Sequence, residues 1–135
     1  MSEWRRKAIE LLPEMRSVIS NAWSPMSLWI DLHAEFVRAF RSGNADAVER
    51  VLKYARWCWE ARSSDTVSAV ICAFFEHLPQ DREMCAEIPK WFSATEFEAL
   101  KDVFAYHAGL DVIGSSGYWD SGSVLQPNRG SFSEP

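Results

Sequence analysis

Apolar residues recur at intervals of three and four along most of the chain, and this spacing constrains the fold more than any other feature. It is clearest from Met26 to Phe40 and from Ala47 to Trp59, where it gives a helix one apolar face. No run alternates apolar and polar residues between turn-forming residues, so no sheet is indicated. The pattern predicts an all-α protein of about five to six helices.

Start and stop signals divide this pattern into helices. Ser24-Pro25 places an N-cap residue before a proline at the first helical position, and Gly43 is typical of the residue that follows a helix. Ser93 and Glu96 match a capping box, in which each side chain caps the other residue's backbone N–H. Further starts are predicted at Ser2, at Asn44 or Asp46, and at Ser64, a kink or new start at Pro13, and stops at Pro79, Pro89 and Gly109.

Short connections at residues 43–44 and 63–64 join the predicted helices. Consecutive helices are therefore expected to pack as antiparallel hairpins, in an α-α layered and weakly solenoid-like arrangement. Residues 1–113 are predicted to form a single helical domain, because a chain of this length does not support two separate cores.

The composition changes after residue 113. Residues 114–135 hold four of the six Gly and are rich in Ser, which predicts a flexible C-terminal tail. Tyr118, Trp119 and Asp120 are exceptions within it. They are expected to fold back onto the helical domain, and the alternative is insertion into a partner.

Several features indicate a cytoplasmic protein that does not enter a membrane. No apolar run reaches the roughly 18 residues that a span requires, and the basic patch at residues 5–7 precedes no signal-peptide core. Cys58, Cys72 and Cys85 are an odd number of cysteines within helical patterns. They are predicted to be small buried hydrophobic residues in a reducing compartment.

Charge is distributed unevenly around a net value of −5. Residues 1–63 carry ten Lys and Arg against eight Asp and Glu, whereas residues 64–135 carry four against eleven. Nucleic acid is not expected as a partner, because its phosphates require positive charge. The acidic half favours a basic protein partner, although an acidic surface that only keeps the protein soluble has the same composition.

The titratable residues form no recognisable catalytic or metal-binding motif. His33, His77 and His107 lie in three different predicted helices without metal-ligand spacing. Cys72 lies among apolar residues, where a thiol is not activated, so a Cys–His triad is not expected. The sequence therefore predicts no catalytic residue, no metal ligand and no cofactor.

Carboxylates on successive helices of the acidic half, with aromatic residues near them, form the candidate site. An aromatic patch with a charged rim is typical of protein-binding surfaces, and an ordinary solvated helix face is the alternative interpretation. The predicted partner-binding residues are Asp65, Glu76, Asp81, Glu83, Glu87, Trp91, Glu96, Glu98, Asp102, Tyr106, Tyr118, Trp119 and Asp120.

Two stretches carry a family resemblance. They are YARWCWE at residues 54–60 with AVICAFFEHL at 69–78, and Trp91-Phe92 with Phe97, Leu100 and FAYH at 104–107. In order and spacing they resemble a group of small uncharacterised bacterial helical proteins. Some of these look like immunity proteins of polymorphic or contact-dependent toxin systems. The resemblance covers about residues 26–108 and rests mostly on core-type residues.

The resemblance implies a small, acidic, cytoplasmic, non-enzymatic protein that occludes the active site of a cognate toxin. Toxins that act on nucleic acid are typically basic, so a basic partner is expected and a nuclease is one candidate. No contact residue transfers from the family, because such interfaces diverge fast. The alternative is a helical scaffold or adaptor that self-associates through a Trp-rich surface and buries Trp29, Trp57 or Trp91.

Overall fold

The structure is a computed structural model and describes residues 1–108. Within these residues the chain forms seven α-helices, two short 3-10 helices and no strand, which confirms the all-α class. Contacts divide the described residues into two compact units, Met1–Phe74 and a second unit that begins at Phe75. The predicted domain over 1–113 and tail over 114–135 meet outside the described residues, so both stay predictions.

The first unit contains five α-helices and one 3-10 helix. The α-helices are α1 (Glu3–Leu11), α2 (Arg16–Asn21), α3 (Pro25–Ser42), α4 (Ala45–Trp59) and α5 (Ser64–Ala73), and the 3-10 helix is Pro13–Met15. α3 packs against both α4 and α5, α4 packs against α5, and α1 packs against α4.

Side chains at the helix ends set most of these boundaries. The Ser27 N–H donates to Ser24 Oγ at 3.0 Å, and the Ser24 N–H donates to Ser27 Oγ at 3.2 Å, which closes a capping box at the start of α3. Gly43 ends α3 with φ 77°, in the left-handed region that favours glycine. Asn44, and not Asp46, caps α4, since its side chain accepts the backbone N–H three residues further on at 3.2 Å.

Two predicted features near the N-terminus have a different outcome in detail. Ser2 lies at the N-cap position of α1, but its hydroxyl makes no cap hydrogen bond. Pro13 ends the first helical pattern by beginning the 3-10 helix, and α2 follows it directly. The interruption at Pro13 therefore adds a helix to the predicted number.

Two predicted proline stops are wrong. A helix was expected to reach Leu78 and to end at Pro79, yet α5 ends at Ala73 because Phe74 leaves the helical region with φ −129° and ψ −68°. Pro79 instead lies inside the second 3-10 helix. Pro89 lies inside an α-helix, two residues before its last residue, where its missing N–H removes one hydrogen bond from the final turn.

An aromatic cluster forms the centre of the first unit. The Trp29 ring is fully buried, stacks on Tyr54 with ring centroids 5.4 Å apart, and contacts Phe74 at 4.8 Å. Its indole Nε1–H donates to the sulfur of Cys58 at 3.4 Å. The Tyr54 hydroxyl donates to the backbone carbonyl of Trp4 at 2.8 Å, so the cluster joins α1, α3, α4 and the end of α5.

Two arginines fasten the N-terminal helices to this unit. Arg50 of α4 lies 2.8 Å from a carboxylate oxygen of Glu14 and donates to the Leu11 carbonyl at 3.1 Å. Arg5 of α1 donates to the Ala22 carbonyl at 2.9 Å, just beyond α2. Carbonyls that lack a partner at the ends of α1 and α2 are thereby satisfied.

The second unit has an aromatic core of its own. Phe92 and Phe104 have ring centroids 5.5 Å apart, Phe75 lies 5.9 Å from Phe92, and Phe97 lies 5.7 Å from Phe104. Its described elements are the 3-10 helix Phe75–Gln80, α6 (Arg82–Trp91) and α7 (Ala94–Ala108). Both α6 and α7 pack against this 3-10 helix.

The cysteines differ in exposure. Cys58 and Cys85 are buried as predicted, but the prediction for Cys72 is wrong, because this side chain is exposed. The buried positions of α5 lie three or four residues apart and leave residue 72 on the outer side. Burial raises the pKa of the Cys58 thiol to about 11 and also raises the pKa of Cys85.

Reaction with a thiol reagent at pH 8 tests this arrangement. Ellman's reagent is expected to modify one thiol per chain rapidly, because Cys72 is exposed whereas the pKa of Cys58 keeps it protonated. The Cys72→Ser variant is expected to lose the rapid phase, with the slow phase unchanged. A rapid phase that survives in this variant would place a second cysteine at the surface.

Candidate functional site

Three of the predicted contact residues share one face of α7. Glu98, Asp102 and Tyr106 lie four residues apart and are therefore neighbours along one side of the helix. All three side chains are exposed, and Tyr106 is 72% exposed. An exposed phenol ring next to two carboxylates on a rigid helix is suited to contact a basic protein.

His107 connects this face to the 3-10 helix of the second unit. Its Nε2 atom lies 3.1 Å from Oε1 of Glu76, and its ring contacts the Tyr106 ring at a centroid distance of 4.8 Å. The His77 ring stacks on His107 at 5.1 Å, and its Nδ1 atom lies 2.9 Å from Oε1 of Gln80. Glu76 and Tyr106, both predicted contact residues, thus belong to one cluster that we call the α7 surface together with Glu98 and Asp102.

The chemistry of the α7 surface suits recognition. It combines carboxylates, imidazoles and a phenol ring, which supply hydrogen-bond donors and acceptors around an aromatic group. Within residues 1–108, no group of three or more His, Cys, Asp or Glu side chains is arranged to hold a metal ion. No helix in the same described part is long and apolar enough to cross a membrane.

Two predicted contact residues have a structural role as helix caps. The Asp81 carboxylate accepts the N–H groups of Glu83 and Met84 at 2.9 and 3.1 Å, at the start of α6. The Ser93 N–H donates to Glu96 Oε1 at 2.9 Å, and the Glu96 N–H donates to Ser93 Oγ at 3.1 Å. The second pair is the predicted capping box.

The other predicted residues are spread over several elements. On α6, the carboxylate of the half-buried Glu87 lies 3.3 Å from Lys90 Nζ. On α7, the carboxylate of Glu98 lies 4.0 Å from Lys101 Nζ. Ion pairs at the protein surface contribute little to stability, so either carboxylate can exchange its partner. Glu83 is exposed in the first turn of α6, and Trp91 is half-buried at the end of the same helix. Asp65 is exposed in the first unit. The remaining predicted residues, Tyr118, Trp119 and Asp120, lie outside the described residues.

An exposed apolar row at the start of α3 was not predicted. Trp23 is 84%, Met26 38% and Ile30 60% exposed. The spacing of apolar residues in α3 placed Met26 and Ile30 on its buried face, but the buried residues are Leu28, Trp29, Leu32 and Phe36. The sequence contained a signal for two apolar sides, because Leu28 and Ile30 are two residues apart and cannot share one helix face.

Comparison with protein families gives one match. Residues 5–106 match the family described as a domain of unknown function, DUF7674. The chain belongs to this family. The matched residues include most of α1 and all of α2, whereas the resemblance seen in the sequence began at about residue 26. The match confirms that the chain belongs to a family without a described function, and it says nothing about toxin immunity. No curated protein and no solved structure matches the chain.

Alanine substitutions separate the capping carboxylates from those of the α7 surface. Asp81→Ala is expected to lower the free energy of unfolding by about 1 kcal/mol, because two N–H groups of α6 lose their acceptor. Asp102→Ala, at an exposed position, is expected to change it by less than about 0.5 kcal/mol. Urea unfolding followed by circular dichroism measures both. Equal effects would contradict the distinction.

Proposed function

We propose that the protein is an immunity protein that binds a cognate bacterial toxin and neutralises it by occluding the toxin's active site. The observation that carries the proposal is the α7 surface, where Glu98, Asp102 and Tyr106 are exposed on one side of one helix. The resemblance to small helical immunity proteins supplies the class of partner. The matching family is described as a domain of unknown function, so the support for this proposal is the α7 surface together with that resemblance.

The charge of the second unit supports a basic partner. Residues 75–108 contain seven Asp and Glu against three Lys and Arg, a net charge of −4. Such a surface raises the rate at which a basic protein finds it, and the effect weakens as salt concentration rises. Tyr106 offers an aromatic group that a partner pocket can bury, which is typical of residues that carry binding energy.

Occlusion requires no chemistry from this chain. A toxin that acts on nucleic acid has a basic active-site region, and an acidic helix face can bind there in place of the phosphates. Glu76 supports the position of the α7 surface through its hydrogen bond with His107, next to Tyr106. The protein accordingly acts as a stoichiometric inhibitor.

Charge reversal on the α7 surface tests the proposal. The partner is captured from native cells at low salt and identified by mass spectrometry, and the binding kinetics of the purified pair are then measured. The Glu98→Lys/Asp102→Lys variant is expected to associate about tenfold more slowly at low salt, because steering depends on both charges. The matched control is Asp31→Lys/Glu49→Lys, which reverses two exposed carboxylates of the first unit.

Growth assays test the immunity function separately. The captured partner is expected to arrest growth when expressed alone, and co-expression of the wild-type chain is expected to restore growth. The control variant should protect fully and the α7 variant should protect less. A partner that is not toxic would contradict the immunity function, and unchanged association kinetics in the α7 variant would exclude the α7 surface as the binding site.

A self-associating scaffold is the second candidate function. The exposed side chains of Trp23, Met26 and Ile30 favour it, because exposed apolar side chains near the start of α3 can pack against their counterparts in a second copy. The sequence predicted that Trp29, Trp57 or Trp91 would form the self-association surface, but these side chains are not fully exposed. Trp29 is fully buried in the core of the first unit, while Trp57 and Trp91 are half-buried.

A further inference from the structure

The first unit contains a cleft of about 660 Å³ between the start of α1 and the connection from α4 to α5. We propose that this cleft binds a guanidinium group between Trp4 and Trp57, with Glu3 and Glu60 as its counter-charges and the Thr66 hydroxyl as a hydrogen-bonding partner. The proposal is independent of the immunity function, since it concerns a site in the first unit and a ligand chemistry that any arginine side chain or small guanidine can supply.

The two indole rings are held in place before a ligand arrives. The Tyr54 ring stacks on Trp57 with centroids 6.0 Å apart and planes 10° from parallel, and its hydroxyl donates to the Trp4 carbonyl at 2.8 Å. The guanidinium carbon of Arg5 lies 4.5 Å from the centroid of the Trp4 ring. Fixed rings lose little conformational entropy on binding, so the cleft is preorganised.

The lining contains two carboxylates, those of Glu3 and Glu60. Glu3 and Glu60 are exposed, and neither carboxylate forms an ion pair or a hydrogen bond with another residue of the described part, 1–108. Indole is the aromatic group that attracts cations most strongly. A guanidinium group stacks on such a ring and donates to carboxylates in its own plane, which an ammonium group cannot do.

Thr66 gives an independent indication of a ligand. It is 2% exposed and is the one buried polar residue among residues 1–108. Its backbone N–H donates to Ser63 Oγ at 3.4 Å, but its own hydroxyl makes no hydrogen bond within the described residues. Thr66 lines the cleft, so a ligand N–H group can donate to this hydroxyl there.

Arg62 is the only positive side chain of the lining, and it also forms no ion pair within residues 1–108. Its charge opposes an incoming guanidinium group, and its own guanidinium is a competitor for the same counter-charges. The proposal therefore predicts opposite effects at neighbouring positions. Loss of charge at Glu60 weakens binding, and loss of charge at Arg62 strengthens it.

Peptide titrations of the full chain test the ligand chemistry. The probes are acetyl-Gly-Arg-Gly-amide, the same peptide with neutral citrulline in place of arginine, and agmatine. The arginine peptide is expected to shift the indole N–H signals of Trp4 and Trp57 in nitrogen–proton NMR spectra, and the citrulline peptide is not. If agmatine binds as well as the arginine peptide, the ligand class is a free guanidine; if only the peptide binds, it is a protein side chain.

Four variants test the site. Glu60→Gln is expected to weaken binding of the arginine peptide by about two- to fivefold, the range of an exposed ion pair. Thr66→Val, of nearly equal volume, is also expected to weaken it, and Arg62→Ala to tighten it. Glu49→Gln, at an exposed site outside the lining, is the matched control and should leave binding unchanged.

Four results would overturn the proposal. Equal binding of the arginine and citrulline peptides would remove the role of charge. Unchanged affinity in Glu60→Gln, or weaker binding in Arg62→Ala, would remove the assigned counter-charge. Shifts confined to Trp residues other than Trp4 and Trp57 would place the ligand elsewhere.

Discussion

The phenol ring of Tyr54 lies between two indole rings, 5.4 Å from Trp29 and 6.0 Å from Trp57. Its hydroxyl donates to the Trp4 carbonyl, so one side chain of α4 fixes both the buried cluster and α1. Burial raises the pKa of Tyr54, which keeps the hydroxyl protonated and able to donate. The core of the first unit and the two walls of its cleft therefore depend on the same residue.

Local signals in the sequence predicted the features that neighbouring residues determine. The N-cap at Ser24, the capping box at Ser93 and the helix end at Gly43 are set within a few residues, and the structure has all three. The end of α5 at Phe74 was not predictable in this way, because its ring packs against Trp29 far away in the sequence. Tertiary packing there overrides local helix propensity.

The candidate sites also combine features that local spacing predicts with features that depend on contacts between distant residues. The common face of Glu98, Asp102 and Tyr106 follows from their spacing in one helix. The hydrogen bond between Glu76 and His107 joins residues 31 positions apart, and no local pattern indicates it. The cleft brings residues 3 and 4 next to residues 57–66, which is visible only once α1 is known to pack against α4.

We propose that the chain binds a different protein and not a second copy of itself. Sedimentation velocity of the full chain over about a hundredfold range of micromolar concentrations tests it most directly. A monomer of 15.4 kDa is expected throughout, with Trp23→Ser indistinguishable from wild type. A concentration-dependent dimer that Trp23→Ser abolishes would contradict it and would favour the self-associating scaffold.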